Sequence, residues 1–268
     1  MQLNIHAVSP NKSLGQHWLH DQPTLATICQ SAAIEPGDNV LEIGPGLGTL
    51  TRTLLERGAR VTAVEFDTGL AEKLRETFKT ENYDLSIVTA DILRFDLTTL
   101  PPDYKVVANI PYYITSNLIR VLCESRNPFS CAAVLVQKEV AQRVCAQPGA
   151  LSILGISTQF YAQVSLGPLV PAHLFTPPPK VDSQVLLLQR RTEPLFADIN
   201  TKLFFRVVKA GFSQRRKTLV NSISGGLALP KDTARDLLQT AGIAPTDRAQ
   251  ALGLTQWYQL YKAYADMI

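Results

Sequence analysis

The sequence predicts an α/β fold in which a sheet flanked by helices is followed by a small all-helical domain. Three observations predict it. From Asn39 to Arg191 short apolar runs alternate with longer mixed stretches, a glycine-rich turn joins the first run to a helical pattern, and after Gln189 only helical patterns remain.

The predicted strands are NVLEIG (39–44), RVTAVE (60–65), LSIVTA (85–90), KVVANI (105–110), CAAVLVQ (131–137) and QVLLLQ (184–189). Between them, LTRTLLERG (50–58) predicts a helix ending at Gly58, since glycine accepts the left-handed conformation that closes a helix. TGLAEKLRETFK (68–79) sets Leu70, Leu74 and Phe78 four apart on one helical face. Beyond Arg190 and Arg191 a polar linker with Pro194 leads to LFFRVVKAGF, RKTLVNSIS, KDTARDLLQTAG and LTQWYQLYKAYAD, punctuated by Gly225, Gly226, Gly242 and Pro245. The expected domains are 1–190 and 191–268, a division that suits a chain of 268 residues.

Bulk composition narrows the function classes. With 46% hydrophobic and 18% charged residues the chain has the makings of a core and no compositionally disordered tract. Cys29, Cys123, Cys131 and Cys145 are far apart and form no CxxC pair, so no metal site and no disulfide framework is predicted. No apolar run approaches the roughly 20 residues that span a bilayer, and the first twenty residues lack a signal-peptide core. A soluble cytoplasmic protein with reduced thiols is expected.

VLEIGPGLGTLT runs from a strand through Gly44, Pro45, Gly46, Leu47 and Gly48 into a helix, an arrangement that lets backbone approach a ligand closely. Its GxGxG spacing departs from the GxGxxG of dinucleotide sites, which weakens a nicotinamide or flavin reading. Glu65 ends the next strand, 21 residues after Gly44, where a carboxylate accepts hydrogen bonds from ribose hydroxyls. Asp91 follows the third strand, placed to receive an exocyclic adenine amine. Together the three define a nucleoside pocket.

At the end of the fourth strand stands Asn109-Ile110-Pro111-Tyr112. An exocyclic base amine is a poor nucleophile because its lone pair is delocalised into the ring. Two carbonyl acceptors, the Asn109 side chain and the Ile110 main chain, would take its N–H groups and aim the lone pair at a sulfonium methyl. Pro111 restricts Ile110 to an extended conformation, and Tyr112 offers a ring face to a base removed from its stack. No general base is required, because the amine becomes acidic only after methylation. The predicted chemistry is methyl transfer from S-adenosylmethionine to the amine of a nucleic-acid base, by proximity and alignment.

These residues resemble the ribosomal RNA adenine N6-dimethyltransferases, most closely the small-subunit (16S) group. The resemblance spans nearly the whole chain, through KSLGQHWL, VLEIGPGLGTLT, VTAVEFD, ADIL, VANIPYYIT, VLVQKEVAQRV, FTPPPKVDSQV and AGFSQRRKTLVNSI. It implies a Rossmann-like S-adenosylmethionine-dependent methyltransferase domain, a small helical C-terminal domain, and dimethylation of two adjacent adenines near the 3′ end of 16S RNA during small-subunit biogenesis. Position by position it places His17, Leu19, Gly44, Glu65, Asp91 and Asn109 on the cofactor, with Gly46 and Ile92 beside them. It places Asn109, Pro111 and Tyr112 on the adenine, with Phe175 stacking on the other side. The family usually has Asn where this chain has His17, Phe where it has Leu14 and Trp18, and Leu where it has Ile110. His17 keeps a ring nitrogen for hydrogen bonding, so cofactor binding is expected to survive with altered geometry or pH dependence.

The implied partner is small-subunit ribosomal RNA or an immature 30S particle, met by a monomer. From Lys180 to Val220 there are nine basic and three acidic residues, a net +6 against +3 for the whole chain. Such a strip suits phosphate contacts, and Arg215, Arg216 and Lys217 are its expected RNA-binding residues. Three rival readings are a large-subunit resistance methylase, a methylase-derived binding factor without turnover, and a small-molecule methyltransferase. The AGFSQRRKTLVNSI segment speaks against the first, intact Asn109, Pro111 and Tyr112 against the second, and the basic strip against the third.

Overall fold

A computed structural model describes residues 15–214 and 216–268; Leu14 and Arg215 lie outside the described residues. Two compact units are present. The first comprises the chain up to Ala141 together with Ala162–Arg190, and the second Gln142–Tyr161 with Arg191–Ile268.

The first unit begins with β1 (Trp18–Leu19), α1 (Gln22–Ser31), β2 (Asn39–Ile43), α2 (Thr49–Glu56), β3 (Arg60–Glu65) and α3 (Thr68–Phe78). It continues through β4 (Leu85–Thr89), β5 (Lys105–Asn109), α4 (Thr115–Glu124) and β6 (Cys131–Gln137) into the start of α5 (Lys138–Val144). After α6 (Ile153–Tyr161) the chain returns as β7 (Ala162–Val170), β8 (Phe175–Thr176) and β9 (Ser183–Arg190). All six predicted strands form. They join one sheet in the order β4-β3-β2-β5-β6-β9-β7. The first five strands of that order are mutually parallel, and β9 runs antiparallel to both β6 and β7.

Parallel strands covered on both faces read as continuous apolar runs, which is why these strands are visible in the sequence. Leu41, Val106, Val107 and Ala108 are completely shielded at the sheet centre, and burial of each large apolar side chain contributes about 1.5–3 kcal/mol. In α3 the Asp67 carboxylate accepts the Leu70 amide hydrogen at 3.1 Å, while Leu70, Leu74 and Phe78 are buried as their spacing predicts. Three strands escape the sequence pattern. The edge strand β7 contains Gly167 and Pro168, and its register slips between Leu166 and Leu169; proline, lacking an N–H, is tolerated at such an edge. The other two, β1 and β8, are two residues each and pair with one another as Trp18↔Thr176 and Leu19↔Phe175.

Strand order positions the site. Beginning at β2 the chain steps outward to β3 and β4, then crosses to β5 on the other side of β2. The carboxyl ends of β2 and β5 therefore flank a crevice at the point where the winding reverses, the usual ligand location in such sheets. Gly44 follows one of these strands and Asn109 ends the other.

In the second unit, α6 lies beside α7 (Thr201–Phe212), which packs with α8 (Leu219–Leu227) and α10 (Leu254–Met267), while α9 (Lys231–Thr240) packs on α8 and α10. The segment 142–161, read from sequence as part of the first domain, belongs here because Leu151, Ile156 and Phe160 are buried in the second core, with the Phe160 and Phe204 rings stacked at 5.1 Å. Gly225 and Gly226 do not punctuate a helix as expected; both lie inside α8. Gly226 serves packing: a Cβ there would stand 2.5 Å from Ala210 Cα of α7, so only glycine admits this approach. Among the described residues no helix is long and apolar enough to cross a membrane.

Candidate active site

The turn after β2 has Gly44, Gly46 and Gly48 at φ of +67°, +56° and +80°, conformations that a Cβ penalises. It closes through the Gly48 amide donating to the Pro45 carbonyl at 2.9 Å. Glu65, the last residue of β3, then locks it: Oε2 accepts the Gly46 amide at 3.0 Å and Oε1 accepts the Asp67 amide at 2.9 Å. Burial raises the Glu65 pKa, and these two amides work against that rise by favouring the carboxylate. Each oxygen retains lone-pair capacity, so Glu65 is an oriented acceptor at the mouth of the crevice.

A second wall comes from the segment before α1. The Thr49 hydroxyl donates to the Leu19 carbonyl at 2.9 Å, tying β1 to the start of α2. Trp18 packs with Leu47 and Leu70, and its ring lies where a Cβ on Gly46 would approach it at 3.2 Å. His17 Nδ1 donates to the Pro177 carbonyl at 2.7 Å, and the imidazole stacks on the Tyr112 ring at 5.9 Å between centroids. At the end of β5 the Asn109 amide nitrogen donates to the His17 carbonyl at 3.1 Å, which leaves Oδ1 as the free acceptor of that side chain. Tyr112 is held by a 2.6 Å hydrogen bond between its hydroxyl and that of buried Ser183, while burial raises its phenol pKa.

The cleft so formed encloses about 880 Å³ including its open mouth and the solvent in it. His17, Leu19, Gly44, Gly46 and Glu65 line it, as do Asn109, Ile110, Pro111 and Tyr112. The sequence-predicted cofactor turn and base-holding turn thus converge. Three predicted residues do not line the cleft. Asp91 lies just outside, its Oδ1 accepting the Leu93 amide at 3.0 Å, and Ile92 is buried beside it. Both stay close to the site through the Ala90 amide, which donates to the Glu65 carbonyl at 2.9 Å. Phe175 is 3% exposed, packed in the core and paired with Leu19, so in this conformation it supports the β1 wall and presents no ring face.

Among the lining residues that sequence reasoning passed over are two aromatic rings and an acid. Phe66 and Tyr113 are 61% and 66% exposed at the cleft, aromatic rings left in solvent beside a pocket. Glu42 is 1% exposed, and a lone acid inside the apolar run of a central strand was its legible signal. Among the described residues that line the cleft there is no lysine or arginine, whereas Glu42 and Glu65 are there. A cationic nucleoside of moderate size fits this arrangement of acids, glycine turn and apolar wall.

A model of the family described as ribosomal RNA adenine dimethylase matches residues 7–266. The chain belongs to that family. The rRNA adenine dimethylases most similar to it include the ribosomal RNA small subunit methyltransferase A of Dehalococcoides mccartyi strain CBDB1, 39% identical over 97% of this chain and 90% of the relative. The protein of that name from Streptococcus pneumoniae D39 is 40% identical over 97% of this chain and 94% of the relative. Among solved structures, a dimethyladenosine transferase from Plasmodium falciparum superposes with a TM-score of 0.79 at 27% identity, over 93% of this chain and 98% of that one. The 23S rRNA methyltransferase ErmE superposes with a TM-score of 0.73 at 31% identity, over 92% and 98%. The fold is accordingly that of a Rossmann-like methyltransferase, and the rRNA adenine dimethylase family implies the use of S-adenosylmethionine.

In this family member the second unit carries the basic residues expected at RNA. Lys202, Arg206 and Lys209 are exposed and share a face of α7 at helical spacing. Arg216 and Lys217 are exposed in the turn between α7 and α8, and none of the five is ion-paired to a described residue.

Proposed function

We propose that this chain transfers two methyl groups to the N6 amine of each of two adjacent adenines near the 3′ end of 16S ribosomal RNA, acting in the cytoplasm as a monomer on an immature small subunit. The observation that carries the reading is the commitment of the Asn109 amide nitrogen to the His17 carbonyl, which turns Oδ1 into an acceptor beside the nucleoside cleft.

S-adenosylmethionine supplies an electrophilic methyl group on a positively charged sulfur. Gly44, Gly46 and Glu65 hold its nucleoside, with His17 and Leu19 closing the cleft from the N-terminal side and Asp91 and Ile92 at its edge. Asn109 Oδ1 and the Ile110 carbonyl accept the two N–H groups of the target amine. That pair of acceptors favours a tetrahedral nitrogen with its lone pair directed at the methyl carbon, a geometry the planar ground state lacks. Pro111 holds the Ile110 carbonyl in place, and the Tyr112 ring, anchored through Ser183, supports the base. After one transfer the nitrogen still carries a hydrogen, so a second cycle on the same acceptors gives the dimethylated product. Phosphates of the RNA meet Arg215, Arg216 and Lys217, positioning the strand without reading its bases.

Incubation with labelled S-adenosylmethionine and immature small subunits, followed by mass-spectrometric mapping, tests this. Label on two neighbouring adenines of small-subunit RNA is expected. Label on large-subunit RNA, or none, would overturn the assignment.

A further inference from the structure

Tyr112–Ile114 form a single 3₁₀ turn that runs directly into α4. With three residues per turn, consecutive side chains there diverge by about 120°. Tyr112 is held inward by its 2.6 Å bond to Ser183, whereas Tyr113, at the rim of the same cleft, is 66% exposed. Gly15 borders its ring, since a Cβ built on that glycine would stand 3.7 Å from Tyr113 Cδ1. Among the described residues none stacks on the Tyr113 ring. Asn117 and Arg120 follow at i+4 and i+7, the spacing of one helical face, and both are exposed. Arg120 is ion-paired to no described acid. A single exposed ring is ordinary on a protein surface. A ring, an amide and a cation in register, starting at the rim of a base-holding turn, have the make-up of a single-stranded nucleic-acid path.

We propose that this row seats the nucleotide next to the target: Tyr113 stacks on the neighbouring base, and Arg120 meets the backbone phosphate beyond it. The proposal rests on the reading given above, that the substrate is a pair of adjacent adenines in RNA. Drawing one adenine out of the strand and into the cleft strips the base beside it of a stacking partner. Tyr113 replaces that partner, because it directly follows Tyr112, the residue that supports the extracted base. Adenine offers an aromatic ring a larger face than uracil does. The Tyr113 ring therefore favours a purine neighbour, and through it the enzyme favours paired adenines over isolated ones. Arg120, a cation seven residues further along the chain, holds the strand by charge and reads no base.

The test compares wild type, Tyr113→Ala, Tyr113→Phe and Arg120→Ala on immature small subunits with both adenines present, or with either one replaced by uridine. The rate at each remaining adenine is followed by mass spectrometry with saturating S-adenosylmethionine, and donor affinity is measured separately. In the wild type at least one replacement should slow methylation of the other adenine about fivefold or more, the scale of one lost base stack. Tyr113→Ala should be slowed by a similar factor on the unaltered substrate and be indifferent to that replacement. Tyr113→Phe, which keeps the ring, should behave as the wild type. Arg120→Ala should slow all three substrates alike and lower the slope of log K against log salt by about 0.7. A Tyr113→Ala loss that is equal on all three substrates, absent, or confined to donor affinity overturns the stacking role. An unchanged salt slope in Arg120→Ala overturns the phosphate contact. A wild type that methylates neither adenine refutes the reading of function itself, an outcome distinct from methylating both without regard to the neighbour.

Discussion

Glu65 Oε2 accepts the Gly46 amide at 3.0 Å while Oε1 accepts the Asp67 amide at 2.9 Å, so one carboxylate joins the end of β3 both to the glycine turn and to the cap of α3. Glu65→Ala removes both anchors and the ribose acceptor. The affinity for S-adenosylmethionine should fall at least about tenfold, the size of one lost charged hydrogen bond, while turnover at saturating cofactor changes much less. Equilibrium binding beside steady-state kinetics checks the split.

Asn109→Ala should show the opposite pattern. Removing a preorganised acceptor that acts on the amine during transfer costs on the order of 10²–10³ in kcat. Cofactor affinity should change by a smaller factor. Single-turnover methylation of RNA with saturating donor separates the two effects; a loss confined to binding would contradict the role given to Oδ1.

His17→Asn removes the ring that stacks on Tyr112 and the 2.7 Å bond to the Pro177 carbonyl. The expected result is a different S-adenosylmethionine affinity, read by equilibrium binding. Identical affinity in the two proteins would deny His17 a part in the site.

Glu42 leaves a signature on stability. Its pKa is raised by burial from 4.5 to about 8 in the folded state, so the native protein binds a proton that the unfolded chain has lost between those values. Stability from this group is therefore greatest below pH 4.5 and falls as pH rises through the window to about 8. Glu42→Gln abolishes that dependence. The variant should melt close to the wild type near pH 5 and several degrees above it near pH 8.5, as thermal denaturation without cofactor would show.

The exposed Arg216 and Lys217 are expected to act through charge alone. Replacing either with Ala should weaken RNA binding to any sequence and reduce the slope of log K against log salt by about 0.7–0.9 per lost phosphate contact. Donor affinity should not move. Filter binding across a salt series checks this, and an unchanged slope would place RNA elsewhere.

Much of this protein is legible before folding, for identifiable reasons. The parallel strands are apolar along their length because both faces are covered, so NVLEIG, RVTAVE and KVVANI are plain in the sequence. Gly44, Glu65 and Asn109 follow or end such strands, and local geometry alone puts them at carboxyl ends. The strand β7 is hidden by Gly167 and Pro168, and α6 gives no local sign that Phe160 will stack on Phe204. Gly226 looks like a break until Ala210 of the neighbouring helix is seen against it.

The sequence by itself determined the chemistry available: a glycine turn, strand-end acids, an amide acceptor followed by proline and tyrosine, and a basic strip. Only the tertiary structure decided how those groups are oriented and which are solvated. It turned Asn109 so that its oxygen is free, through a carbonyl 92 residues away in sequence. It buried Phe175 in the core and shielded Glu42 from solvent on the cleft floor. Residue type and spacing are local properties, whereas hydrogen-bond direction and desolvation depend on neighbours that only chain packing brings together.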